Sequence, residues 1–109
     1  MAQLTQSLTA QARRPLKRFR VILRGDDFLL AAGEGEAERN GFYVVRTALA
    51  ENETMAGKLA LFDFAAELHF HARLAPWFVK KGSLAVEEAR PLEDAEEDVA
   101  SGFIFYPMA

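Results

Sequence analysis

Apolar and polar residues alternate from residue 18 to 24. Phe19, Val21 and Leu23 fall on one side and Arg18, Arg20, Ile22 and Arg24 on the other, which predicts a half-buried strand. Gly25-Asp26-Asp27 breaks or bulges that period, and the apolar run Phe28-Leu29-Leu30 resumes it. Residues 33–41 have turn chemistry, with Asn40-Gly41 suited to positive φ. A second strand follows over residues 42–49, where Phe42, Tyr43, Val44, Val45 and Thr47 fit a pleated surface better than a helix.

The period then lengthens to that of a helix. Asn52 or Thr54 is placed to cap it, and Glu51 and Glu53 stand where the helix dipole favours acids. Met55, Leu59, Phe62 and Ala66 form one apolar stripe over a helix at 54–73, widened by Leu61, Phe64, Ala65 and Leu68 and stopped by Pro76. That arc is broader than one sheet face requires, which leaves part of it for a second subunit or for the N-terminal segment. Trp77-Phe78-Val79 leads through Lys80-Lys81-Gly82 to a strand at 83–89, with Leu84, Val86 and Glu88 set against Ala85, Glu87 and Ala89. Pro91 ends it, and Phe103-Ile104-Phe105-Tyr106, between Gly102 and Pro107, predicts a terminal edge strand.

The order β-β-α-β-β implies an α+β fold, a two-layer sandwich in which one main helix packs on one face of a mostly antiparallel four-stranded sheet. The first strand is expected between the second and third, antiparallel to both, with a right-handed connection through the helix. No internal repeat is visible. Ahead of a single domain at 18–109, residues 1–17 are expected to be a flexible tail. Leu4, Leu8 and Ala12 recur every four residues there, but the stripe is thin and Pro15 ends it. An open sheet leaves edges and a bare face that a homodimer would cover.

Three segments carry a resemblance: Arg24-Gly25-Asp26-Asp27-Phe28, Gly41-Phe42-Tyr43, and Phe103-Ile104-Phe105-Tyr106-Pro107. Together with the Ala-rich helix they resemble a group of small uncharacterised bacterial proteins over residues 18–106. The resemblance implies the same layout and a bacterial origin, and it brings no catalytic residue with it.

Composition narrows the classes further. The 109 residues suit one domain, and half of them are hydrophobic. With no cysteine, disulfide frameworks, thiolate metal sites and cysteine nucleophiles are excluded. Charges interrupt every apolar run short of the roughly 20 residues a membrane helix needs. No secretory pattern opens the chain, so a cytoplasmic location is expected; the acid-free, Arg-bearing start fits an organellar transit peptide less well. The formal charge of −3 hides an asymmetry: residues 1–25 carry six bases and no acid, while the remaining 84 carry seven bases and all 16 acids. Residues 93–98 alone hold five acids in six positions. A solvated loop and an Arg-rich exposed strand face are the plain readings of these two regions.

Chemistry is sparse. His69 and His71, two apart on a helix, point to different sides, and only Asp63 and Glu67 stand near as further ligands, so no metal is expected. Asp26 and Asp27 are strand neighbours, whose carboxylates diverge rather than converge on a substrate. The three serines lack a nucleophile elbow, and Gly33-Glu34-Gly35 lacks a phosphate-binding fingerprint. No cofactor is implied, and an enzyme or ligand-binding domain is the weakest reading. Strand aromatics beside Arg18, Arg20, Arg24 and Arg46 give a nucleic-acid alternative, set against the acidic remainder and the lack of an RNA-recognition motif. The favoured expectation is a protein–protein interaction module, a homodimer whose contact surface comprises Arg18, Arg20, Arg24, Arg46, Trp77 and Phe78. One version is immunity- or antitoxin-like, with the acids of residues 93–98 steering a basic toxin.

Overall fold

Two long strands organise the molecule. In the computed structural model, which describes residues 15–31, 36–74, 78–80, 82–98 and 100–108, β1 (Lys17–Leu30) and β2 (Glu38–Ala50) form an antiparallel pair along most of their length. α1 (Glu53–Leu74), β3 (Phe78–Lys80), β4 (Ser83–Pro91) and β5 (Ile104–Pro107) follow. β3 pairs with Leu29 and Leu30, and β4 with the stretch from Phe19 to Asp26, so the two lie end to end in one lane beside β1. β5 pairs with β2 on the other side, from Asn40 to Tyr43. The result is the expected α+β architecture, an open antiparallel sheet with one helix, in which β1 separates β2 from β4 and is antiparallel to both. The third lane is split into two strand segments, which raises the strand count to five.

The bulge in β1 explains how its core face is kept. Phe19, Val21 and Leu23 are buried at even spacing, yet Phe28, five positions after Leu23, is buried too. Side chains alternate faces along a strand, so an odd spacing requires one extra residue. Gly25 pairs with Phe42 and Phe28 with Asn40, leaving Asp26 and Asp27 opposite Gly41 alone. Asp27 takes up the extra step in the left-handed region, at φ 62°. Asn40-Gly41, expected in a turn, instead lies inside β2. Gly41 is required there by contact, because a Cβ would overlap the Tyr106 ring, just as one on Gly25 would overlap the Phe42 ring.

β4 changes phase in the same way. Ile22 pairs with Glu88 but Leu23 with Val86, so Glu87 is the extra residue. Leu84 and Val86 therefore share the helix-facing side with Ala89, and Glu88 lies on the opposite side with Ile22, unlike the uniform alternation expected.

Asn52 caps α1: its Oδ1 accepts the Met55 N–H at 2.9 Å, and Glu53 adds an acid to the first turn. The buried stripe is Ala56, Ala60, Phe64 and Leu68, at a strict spacing of four, resting on Val21, Leu23, Phe42 and Val44. This corrects the expected stripe of Met55, Leu59, Phe62 and Ala66, every member of which is exposed. The alanines let the helix sit close to the sheet, and the larger aliphatic residues point away. Phe42 anchors the core with ring contacts to Phe28 at 4.8 Å and Phe103 at 4.9 Å, and Phe64 joins it at 6.0 Å, all edge-to-face.

Candidate interaction surface

The outward side of α1 is apolar. Phe62 is 75% exposed, Phe70 62%, Met55 43% and Leu59 41%, and they recur at helical spacing as a ridge over four turns of the helix. Beside the ridge, two further exposed leucines, Leu16 and Leu49, mark the lower end of β1 and β2. Between them runs a groove: about 390 Å³ lined by Leu16, Leu49, Ala50, Glu51, Met55 and Leu59. Past the shared residues Leu49 and Leu59 it continues for about 230 Å³ between α1 and β2, where Asp63, Glu67 and Arg46 form its polar margin. Large apolar side chains on one exposed stripe, next to an apolar groove with acids at its edge, make a surface suited to burying a helix or a second apolar face.

The four arginines expected at a binding surface divide between the two faces of the sheet. Arg18, Arg20 and Arg24 lie on the face away from α1, as the alternation implied. Arg46 pairs with Val21 in the register and so lies on the helix side, where its guanidinium stands 5.3 Å above the Phe64 ring and 3.4 Å from Glu67. It also donates to the carbonyl oxygens of Val45 and Ser101. Trp77 lies outside the described residues, and Phe78 enters through its backbone pairing with Leu30.

Arg18 is committed inside the chain. It meets Asp98 at 2.7 Å and donates to the carbonyl oxygens of Glu93 and Asp94 at 2.9 and 3.4 Å. Arg90, opposite Arg20 in the register, forms a two-pronged pair with Glu96 at 3.0 and 3.1 Å. The Glu93 N–H also donates to Glu96, and these donors hold the Glu96 carboxyl down at about pKa 2. The acidic run is thus a strap tied by the basic strand face: the two regions that composition separates are partners of one another. Beyond it, Ser101 extends the β5 lane by exchanging hydrogen bonds with Val45, at 2.9 and 3.0 Å.

Arg24 belongs to a separate network at the bulge. It bonds Asp26 at 2.9 Å and Glu87 at 2.6 Å, and Tyr106 donates to the other Asp26 oxygen at 2.8 Å. Burial, then the hydrogen bond to Asp26, pushes the Tyr106 phenol up to about 12. Asp27 turns the other way and pairs with Arg39 at 2.7 Å. The two aspartates diverge, each with its own arginine, in keeping with a bulge that is structural. Neither they nor His69 line the grooves along α1. Among the described residues no three metal-ligating side chains cluster, and no helix is long and apolar enough to cross a membrane.

Fold and surface together define a two-layer α+β domain with an apolar outer helix face. Protein-family models, curated proteins and solved structures contain no match to the chain.

Proposed function

We propose that the protein is a protein–protein interaction module and that the outer ridge of α1 is its contact surface, occupied by a second copy of the chain. The observation that carries this reading is the exposure of Met55, Leu59, Phe62 and Phe70 along a single stripe. Two antiparallel copies of α1, related by a two-fold axis between Phe62 and Asp63, set Met55 opposite Phe70 and Leu59 opposite Ala66. The contact residues are then helix residues rather than the arginine row. An immunity- or antitoxin-like role through residues 93–98 has less support, because Glu96 and Asp98 are already bound within the chain.

A charge placed on the ridge tests the pairing. Ala66→Asp is expected to weaken the dimer in light scattering after size exclusion, and Glu53→Gln, off the ridge, to leave it unchanged. Equal mass for the wild type and Ala66→Asp would contradict the proposed face.

A further inference from the structure

We infer that the strap at residues 93–98 is an autoinhibitory cover: the basic sheet face it ties down, bearing Arg18, Arg20 and Arg90, is a docking surface for an acidic peptide segment of a partner protein, and the strap stands in for that segment until displaced. The face lies on the side of the sheet away from α1, so it shares no residue with the proposed dimer contact. The first ground is the arrangement of charge. Arg20 faces Arg90 directly across β1 and β4, and Arg18 follows two residues along on the same side. Like charges opposite one another in a sheet are destabilising unless a counter-charge meets them. The strap supplies two, Glu96 to Arg90 and Asp98 to Arg18. Arg20, half-buried beside both, has no hydrogen bond or ion pair among the described residues. Two guanidiniums suffice to tie the strap, and the third is left for a ligand.

The second ground is how the strap is held. It is a turn closed on itself: the Glu96 N–H donates to the Glu93 carbonyl at 2.9 Å and the Glu93 N–H to the Glu96 carboxylate at 3.0 Å. None of its residues is buried, and the apolar anchor stops one residue short, at Leu92, which is 8% exposed and whose N–H bonds the Arg18 carbonyl. The turn can therefore lift by breaking exposed arginine contacts, each weak alone, without opening the core. The third ground is the chemistry of those contacts. A carboxylate takes both prongs of Arg90, another meets Arg18, and Arg18 also donates to the peptide carbonyls of Glu93 and Asp94. Any acidic peptide offers that set, whereas a phosphodiester chain has no peptide carbonyl to give Arg18. Tethered at both ends, the strap competes at an effective concentration on the order of millimolar, so the face binds in trans only when the strap is released.

Glu96→Gln combined with Asp98→Asn in the full-length protein releases the strap while keeping side-chain size. The probe is a fluorescein-labelled peptide with the sequence of residues 92–98, read by fluorescence polarisation at low salt. The released chain should bind it about tenfold or more tighter than the wild type, because the face is no longer occupied. Arg20→Ala in the released chain should lower that affinity severalfold. A chain with Glu53→Gln and Asp63→Asn, which loses the same two charges from α1 and keeps the strap, should bind as the wild type does. Circular dichroism verifies the fold; if the released chain is unfolded, Asp98→Asn alone, with the Arg90–Glu96 pair intact, should show a smaller gain of the same sign. Equal affinity of wild-type and released chains would overturn the inference, as would an equal gain in the charge-matched chain or indifference to Arg20→Ala. Tighter binding of a single-stranded DNA oligonucleotide than of the peptide would also overturn it, by assigning the face to nucleic acid.

Discussion

At the scale of residues, glycine positions and hydrogen-bonded acids carry the sharpest expectations. Gly41 has the Tyr106 ring where a Cβ would stand, whereas Gly102 has nothing within 4 Å. Gly41→Ala should therefore cost about 1–3 kcal/mol in urea unfolding through overpacking, and Gly102→Ala less than about 0.5 kcal/mol. Two shifted groups make stability depend on pH. Glu96 is held at about pKa 2, below the roughly 4.3 of an unfolded glutamate. Its contribution is present above that unfolded value and is lost as pH falls toward 2. Tyr106 behaves oppositely: raised to about 12 against about 10 for a free phenol, it contributes below pH 10 and loses that contribution as pH rises through 12. In the Tyr43→Phe chain, ultraviolet titration of tyrosinate should show one phenol ionising near 12; ionisation near 10 would remove Asp26 as its partner. None of this was legible in the sequence, because Tyr106 and Asp26 are 80 residues apart and only the β5 lane brings them together.

At the scale of elements, alternation and helical period were enough to place both long strands, the helix and the edge strand. They failed wherever one extra residue changed the phase. Asp27 and Glu87 each add such a residue, and a single sequence carries no pairing partner from which to see it. The helix failed for another reason. Its sequence holds two apolar stripes, and size made Met55, Leu59 and Phe62 look like the core face, whereas close packing on the sheet selects Ala56 and Ala60. Truncation separates the stripes. Phe64→Ala should cost about 3–5 kcal/mol of stability, as a buried aromatic does. Phe62→Ala should cost little in the monomer, and equal losses at the two positions would place both stripes in the core. The expected surplus of apolar arc was the one feature of the candidate site legible in advance, since amphipathic width depends only on spacing.

At the scale of the whole molecule, part of the charge asymmetry is met within the chain. Arg18 and Arg90 bind the strap at 93–98, and Arg24 binds Asp26 and Glu87, so most of the basic strand face is neutralised where it stands. Single-stranded RNA should accordingly bind weakly at physiological salt, and filter-binding curves should change little on Arg20→Ala. Tight binding with a steep salt slope would return the arginine row to the centre of the account. The largest exposed apolar side chain of the described residues, Phe62, lies on α1. The most direct measurement is sedimentation velocity of the full chain and of Phe62→Asp over a matched concentration series, with circular dichroism to verify the fold. The account predicts a wild-type dimer and a folded monomeric variant. A wild-type chain that stays monomeric throughout the series, or a variant that sediments with the wild type as a dimer, would contradict it.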